Sequence, residues 1–196
     1  MKGVVFNLLE AFVCEGWGDE VYEALLERTE LETQEPFVGP GTYPDSDLVA
    51  LASNAALMLD LPLGAVLRAF GEYCFPQLAA KVPMLVDSHS DLISFLQSID
   101  SVLHVEVRKL MPQAVTPTFL VDRTGPDTAR LAYHSERRLC GFMEGLLVGA
   151  GRHFGTDVEF TKHSCMHQGA ASCEYDLVVH VQHALPTSIA GTAAQG

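Results

Sequence analysis

The residues Ala129-Arg-Leu-Ala-Tyr133-His-Ser-Glu-Arg137 carry the chain from a strand pattern into a helix pattern. Before about residue 111, apolar side chains recur every three or four residues, which is typical of amphipathic helices. After residue 115, short apolar runs at 117–121 and 129–133 flank the turn sequence Arg123-Thr-Gly-Pro-Asp127, which predicts an antiparallel hairpin. The sequence therefore predicts an α+β fold.

The other apolar patterns extend this prediction to a mostly helical first half and a small four-stranded antiparallel sheet. Asp45 or Ser46 is expected to cap a helix that runs to about Asp60. The remaining predicted elements are a helix beginning at Leu61-Pro-Leu-Gly64, a helix over 90–110 that ends before Pro112, a helix from Glu136 to Phe154, and strands at Val158–Thr161 and Cys173–Val181. We expect a single domain over residues 1–183, followed by a disordered tail of small and polar residues at 184–196.

Composition and charge exclude several classes of protein. The 196 residues are 48% hydrophobic, which excludes a disordered chain, and their net charge is −13. Residues 1–100 hold 4 basic and 16 acidic side chains, whereas residues 101–196 hold 8 and 9. A chain with this surplus of acidic residues is repelled by nucleic-acid phosphates and by anionic membranes. In addition, no apolar stretch reaches the roughly 20 residues of a membrane-spanning helix. Without a signal-peptide pattern at its start, the chain is expected to be cytoplasmic.

Two groups of residues have the chemistry of a cofactor site. His104 lies beside the apolar stripe of the helix over 90–110, where it could be a hydrogen-bonded structural residue or an axial ligand of haem iron. Tyr133, Ser135 and Arg137 alternate along an extended stretch, so two hydroxyl groups and a guanidinium could surround an anion. The alternative for this second group is a polar cluster at the end of a strand.

The five cysteines form a third group of candidates. An odd number of cysteines in a cytoplasmic protein favours free thiols or metal ligands over a disulfide framework. Three thiolates from Cys140, Cys165 and Cys173 together with one imidazole would make a closed tetrahedral zinc site, and buried unpaired thiols are the alternative. Cys14 and Cys74 have the pattern of core residues.

The order of these groups along the chain resembles that of the H-NOX family, the haem nitric oxide/oxygen binding domains. The resemblance covers almost the whole chain and rests on Met1-Lys-Gly3 with Phe6, Tyr43-Pro-Asp45, Phe70-Gly-Glu72, His104, Pro117, the Tyr-x-Ser-x-Arg motif at Tyr133, Ser135 and Arg137, and Gly145-Leu-Leu-Val-Gly149.

The resemblance implies a haem b between a helical distal part of about residues 1–63 and a proximal part of about 64–183. His104 would bind the iron, Tyr133, Ser135 and Arg137 would hold the propionates, and Pro117 would press on the macrocycle. In family members that hold oxygen, a distal tyrosine hydroxyl donates to the bound gas, and the corresponding position here is Phe142. Because phenylalanine cannot donate, the pocket is expected to select NO over O₂, and CO is a further possible ligand.

The resemblance also bears on the thiols. A subset of bacterial H-NOX proteins has a zinc site of three cysteines and one histidine near this end of the chain, with the histidine three residues before the middle cysteine. This chain has Lys162 at that position. His163 is therefore expected to supply the fourth ligand of a structural zinc site, with His167 as the alternative.

We expect a haem-based NO sensor that is not an enzyme. NO bound opposite His104 would weaken the iron–histidine bond and free the helix that carries His104, which is a bistable element biased by a ligand. By resemblance, the signal would pass to a separate histidine kinase or cyclic-di-GMP enzyme. The alternative is a zinc or thiol redox sensor that uses Cys140, Cys165 and Cys173. A hydrolase or transferase with a Cys/His pair is disfavoured, since no carboxylate that could orient such a pair is identifiable.

Overall fold

Helices make up the first half of the chain. The computed structural model describes residues 1–110 and 115–181 of the protein. The helices of this half are α1 Gly3–Trp17, α2 Asp19–Arg28, α3 Asp45–Leu59, α4 Leu63–Ala79, α5 Pro83–Val86, α6 Leu92–Ser98 and α7 His104–Leu110. The predicted tail at 184–196 and Pro112 lie outside the described residues.

The start of α3 differs from the prediction that Asp45 or Ser46 caps it. Pro44 is the N-cap residue, Asp45 is the first helical residue, and no side chain caps the helix. The Asp45 carboxylate binds two cations instead: the Met1 amine at 2.5 Å and the Arg137 Nε atom at 2.7 Å. The capping prediction was wrong because these two charged partners attract the carboxylate more strongly than a backbone amide does.

The predicted helix over 90–110 is divided into three parts. Asp91 caps α6, since its carboxylate accepts a hydrogen bond from the Ser94 amide at 2.9 Å. A five-residue π-helical segment, Ile99–Leu103, then leads directly into α7 at His104. The apolar spacing did not reveal the break, because a π segment changes the hydrogen-bond register without ending the helical path.

Four strands form one antiparallel sheet in the order β1-β2-β4-β3. They are β1 Thr118–Arg123, β2 Thr128–His134, β3 Thr156–Ser164 and β4 Cys173–Val181. The predicted hairpin and both later strands are confirmed, as is the α+β fold. The helix between β2 and β3 is α8, Cys140–His153; it begins four residues later than predicted, because Arg138 has a left-handed backbone with φ of 52°.

Two hydrophobic cores meet where α4 crosses α8. The helical core contains residues of α1 to α4, with Cys74 fully buried and Cys14 packed against it, and the sheet core contains α6, the strands and most of α8. Gly71 and Gly145 allow the two helix backbones to touch, since a side chain on Gly145 would collide with the Arg68 carbonyl. None of the helices within the described ranges is by itself long and apolar enough to cross a membrane.

Candidate functional site

His104 is placed and oriented by the segment that precedes it. It is the first residue of α7, directly after the π segment, and its side chain is 13% exposed. The His104 Nδ1 atom lies 2.7 Å from the Asp100 Oδ1 atom, four residues earlier. Since a neutral imidazole has one donor and one acceptor nitrogen, donation from Nδ1 to this carboxylate leaves the Nε2 lone pair available for a metal.

The environment of His104 favours the neutral form that a metal ligand requires. Burial lowers the pKa of His104 below its ordinary value, and the nearby Arg108 acts in the same direction. The hydrogen bond to Asp100 and its charge oppose this change but do not reverse it. At neutral pH the imidazole is therefore neutral, with Nε2 able to coordinate iron.

A polar pocket of about 260 Å³ lies at the end of β2 that leads towards α8. Its lining comes from the β2–α8 junction, the segment before β1, and Asp45 of α3: Asp45, Val115, Thr116, Thr118, His134, Ser135, Glu136 and Arg137. Two of the three residues predicted to bind propionates, Ser135 and Arg137, therefore line one pocket. The third, Tyr133, is buried two residues before Ser135, near the end of β2. Burial raises the pKa of Tyr133 to about 12, so its phenol keeps the proton that it would donate to an anion.

Arg137 connects this pocket to the first helices. Its Nε atom donates to the Asp45 carboxylate at 2.7 Å, and its Nη1 atom donates to the Val115 carbonyl at 2.7 Å. Burial alone would raise the pKa of Asp45, but hydrogen bonds from the N-terminal amine and from Arg137 outweigh burial and lower it. A guanidinium held by a carboxylate and a carbonyl at the wall of a polar pocket is a suitable binding group for an anion.

Pro117 and Phe142 lie in different parts of the structure: Pro117 stands between the pocket residues Thr116 and Thr118, and Phe142 packs against the helical core. Pro117 is half-buried and comes directly before β1, next to the pocket residue Thr116. Phe142 lies in the first turn of α8, with its ring centroid 5.2 Å from that of Phe70 of α4. Phe142 therefore packs against the helical core, as its predicted position on an apolar distal side requires.

The three predicted thiol ligands are brought together. Cys140 is the first residue of α8, Cys165 follows β3, and Cys173 is the first residue of β4; all three are buried free thiols. The Sγ atom of Cys165 lies 4.0 Å from that of Cys140 and 3.9 Å from that of Cys173. Two thiolates on one tetrahedral zinc ion, each about 2.3 Å from the metal, are about 3.8 Å apart, so the sulfur positions fit such an ion.

The two candidate histidine ligands are not brought to these sulfur atoms. His163 is half-exposed, and its Nε2 atom lies 2.8 Å from the Asp176 carboxylate. His167 is exposed, and its Nε2 atom lies 2.8 Å from the Arg138 carbonyl oxygen. The group of metal-ligating atoms found at this place among the described residues consists of the three sulfur atoms.

Sequence reasoning missed several partners of the site residues. Asp100 stands four residues before His104, a spacing that places two side chains together on a helix and could have revealed the pair. The ion pair between Asp45 and Arg137 joins residues 92 positions apart, so no local pattern indicated it. Lys162 was noticed only as a departure from the zinc-binding pattern, although its side chain pairs with Glu144 beside the thiols.

The donors of this site fit a haem. A neutral, partly buried imidazole with a free Nε2 atom suits an axial position, and an arginine with buried hydroxyl groups at a polar pocket suits the propionates. Together with the α+β fold, these groups match what a haem-binding domain with one axial histidine requires.

Comparison with known proteins identifies the family within that class. The model of the haem-NO-binding family matches residues 2–162, and the chain belongs to this family, the H-NOX domains. An H-NOX protein from Shewanella oneidensis, solved in the Fe(II)NO ligation state, is 33% identical, with a TM-score of 0.85 over 92% of this chain and 99% of that chain. The unliganded Fe(II) H-NOX protein from K. algicida is 26% identical, with a TM-score of 0.86 over 94% of this chain and 100% of that chain. H-NOX domains are haem-based gas sensors.

Proposed function

We propose that this protein senses nitric oxide at a ferrous haem b whose axial ligand is the Nε2 atom of His104. The observation that carries the proposal is the hydrogen bond between His104 Nδ1 and Asp100, which fixes the ring and leaves Nε2 free. When bound, haem supplies the iron that takes up a diatomic gas. His104, Asp100 and the pocket around Arg137 supply the orientation.

The haem would lie between the distal part, about residues 1–63, and the proximal part, about residues 64–183. Tyr133, Ser135 and Arg137 would hold the two propionates, which cost several kcal/mol per charge to bury unless they are paired and hydrogen-bonded. Arg137 can exchange its bond to the Val115 carbonyl for one to a propionate and keep its pair with Asp45. Pro117 would press on the macrocycle from the segment that supplies Val115 and Thr116.

Phe142 supports selection of NO over O₂. Bound oxygen carries partial negative charge and needs a hydrogen-bond donor, whereas NO and CO bind ferrous iron without one. The Phe142 ring lies against the Phe70 ring in an apolar environment. Neither phenyl ring has a group that can donate a hydrogen bond. The related S. oneidensis proteins were solved with NO and with CO on the iron, which supports both as ligands here.

The switch would be the segment that carries His104. The π segment and α7 would shift when the His104 side chain detaches, while α6 stays tied to the sheet by the ion pair between Asp91 and Arg123. A ligand that favours one of two arrangements shifts the population between them. We propose that a cytoplasmic partner, a histidine kinase or a cyclic-di-GMP enzyme, reads this shift.

Absorption spectra of the purified protein test the proposal. The reduced protein should show a five-coordinate ferrous haem that is unchanged in air and changes when NO is added. His104→Ala should lose haem or the axial bond. Phe142→Tyr should retain oxygen about fivefold better, since one neutral hydrogen bond contributes about 1 kcal/mol. Phe160→Tyr, on β3, is the matched control and should leave oxygen binding unchanged. A colourless wild-type protein, or unchanged haem spectra in His104→Ala, would refute the assignment.

The thiol cluster supports a second candidate function, a zinc or thiol redox sensor. Three buried Sγ atoms within 4.8 Å of one another can bind a metal ion or be oxidised. If this candidate is correct, removal of zinc or oxidation of the thiols should change the activity of the partner while the haem spectrum stays the same.

A further inference from the structure

The sulfur triangle of Cys140, Cys165 and Cys173 lies between the start of α8 and one end of the sheet. Cys173 and Tyr175 alternate along β4 and both face the buried side of the sheet. In the ladder, Lys162 of β3 is the direct partner of Tyr175. Paired residues of neighbouring strands point to the same face, so Lys162 points towards the side of the sheet that holds the thiols.

Lys162 is fixed in that position by contacts with its neighbours. Its Nζ atom lies 2.5 Å from the Glu144 carboxylate of α8 and 5.4 Å from the centre of the Tyr175 ring. The Tyr175 hydroxyl donates to the same carboxylate at 2.9 Å. Lys162 is therefore a cation held on the side of the sheet that carries Cys173 and packs against α8, the helix that begins with Cys140.

The position of His163 on the strand directs it away from the triangle. His163 follows Lys162, and successive side chains of a strand point to opposite faces, so its ring pairs with Asp176 on the outer face of β4. His167 lies past Cys165, on the exposed 3₁₀ turn Met166–Gln168, with its ring bonded to the Arg138 carbonyl. Neither ring faces the sulfur atoms.

We infer that the three thiolates of Cys140, Cys165 and Cys173 bind one zinc ion without a histidine, and that Lys162 is the charge partner of this ion. Three thiolates leave a zinc ion with one negative charge, which the ammonium group of Lys162, shared with the Glu144 carboxylate, offsets in part. An ammonium group has no lone pair and cannot itself be a ligand. The fourth position is then open to water, as in zinc sites with three protein ligands. This inference deepens the thiol-cluster proposal and does not depend on haem.

X-ray absorption at the zinc edge of the purified full-length protein tests the inference, because this measurement detects only zinc, whatever the state of the haem. We expect one zinc per chain, three sulfur atoms about 2.3 Å from the metal, and no scattering from an imidazole ring. His163→Ala and His167→Ala are matched variants that should keep the same zinc content and spectrum. Lys162→His should add imidazole scattering, because position 162 pairs with Tyr175 on the face of the sheet that carries Cys173. Cys165→Ser should lose most of the zinc.

Two results would overturn the inference. One is imidazole scattering in the wild-type protein that disappears in His163→Ala or His167→Ala, which would show a closed site with that histidine. The other is a wild-type protein that takes up no zinc when supplied with it. The haem absorption of the same samples reports separately on the NO-sensor proposal and on folding of each variant, so failure of one proposal does not imply failure of the other.

Discussion

Among single residues, Asp100 is the partner on which the proposed role of His104 as iron ligand depends. A carboxylate that accepts a hydrogen bond from the second nitrogen of a ligating imidazole fixes the tautomer and makes the ligating nitrogen more basic. Asp100→Ala removes this acceptor, so the bond between iron and Nε2 should weaken. We expect a lower iron–histidine stretching frequency in resonance Raman spectra of the ferrous protein. The affinity of the protein for haem should also be about tenfold lower.

A second histidine–carboxylate pair provides the control for this prediction. The His153 Nε2 atom lies 3.0 Å from the Asp87 carboxylate, and this pair is at the surface. Neither residue belongs to α7. Asp87→Asn should leave the iron–histidine stretch unchanged. Equal spectra for wild type and Asp100→Ala would mean that the carboxylate does not act on the bound ring.

The sequence predicted site residues that lie close together along the chain better than contacts between distant segments. Tyr133, Ser135 and Arg137 are candidates because they alternate in one short stretch, and His104 is a candidate because it lies beside an apolar helix stripe and matches the family's order of residues. The thiols also come together as predicted. The ion pair between Asp45 and Arg137 could not be found, because it depends on how α3 packs against the β2–α8 junction. The outward position of His163 depends on strand register, which the sequence alone did not fix.

At the scale of elements, the contact between α4 and α8 determines how the two cores join. A Cβ atom on Gly145 would lie 2.8 Å from the Gly71 Cα atom and would also collide with the Arg68 carbonyl. Both obstacles are backbone, so the helices would have to separate. We expect Gly145→Ala to reduce the free energy of unfolding by about 1–3 kcal/mol, measured by urea denaturation, because overpacking in a core has this cost.

Gly64, near the start of α4, is the matched control for this prediction. A Cβ atom there meets nothing within 4 Å. Gly64→Ala should therefore be neutral or should stabilise the protein by about 0.4–1 kcal/mol, because alanine restricts the unfolded chain. If the two variants lost equal stability, close packing of the α4–α8 contact could not be the cause.

The bounds of the elements show which patterns are reliable in this chain. The hairpin and the later strands were predicted to within three residues at each end, because alternation and turn residues act locally. The helix over 90–110 and the start of α8 were less accurate. Both errors arise from backbone states, a π segment and a left-handed Arg138, that leave no mark on the apolar pattern.

In the whole molecule, Asp45 makes one of several ion pairs that join the acidic residues 1–100 to the nearly neutral residues 101–196. Its carboxylate binds the Met1 amine at the start of the chain and Arg137 of the β2–α8 junction, so it ties the beginning of the chain to the polar pocket.

The pair between Asp45 and Arg137 should make stability depend on pH in a defined direction. The folded protein lowers the pKa of Asp45, so the carboxylate contributes stability above the unfolded value of about 4, and this contribution is lost as the pH falls through the folded value. A double-mutant cycle with Asp45→Asn, Arg137→Gln and the double variant, measured by urea denaturation, isolates the pair from every other titrating group. We expect a coupling of up to about 1 kcal/mol at pH 7, since Asp45 is partly exposed, and a smaller one as the pH falls below about 4. A coupling that is the same at pH 7 and pH 3 would contradict this, because below the unfolded pKa of about 4 folding must also remove the proton from Asp45, which offsets part of the stabilisation by the pair.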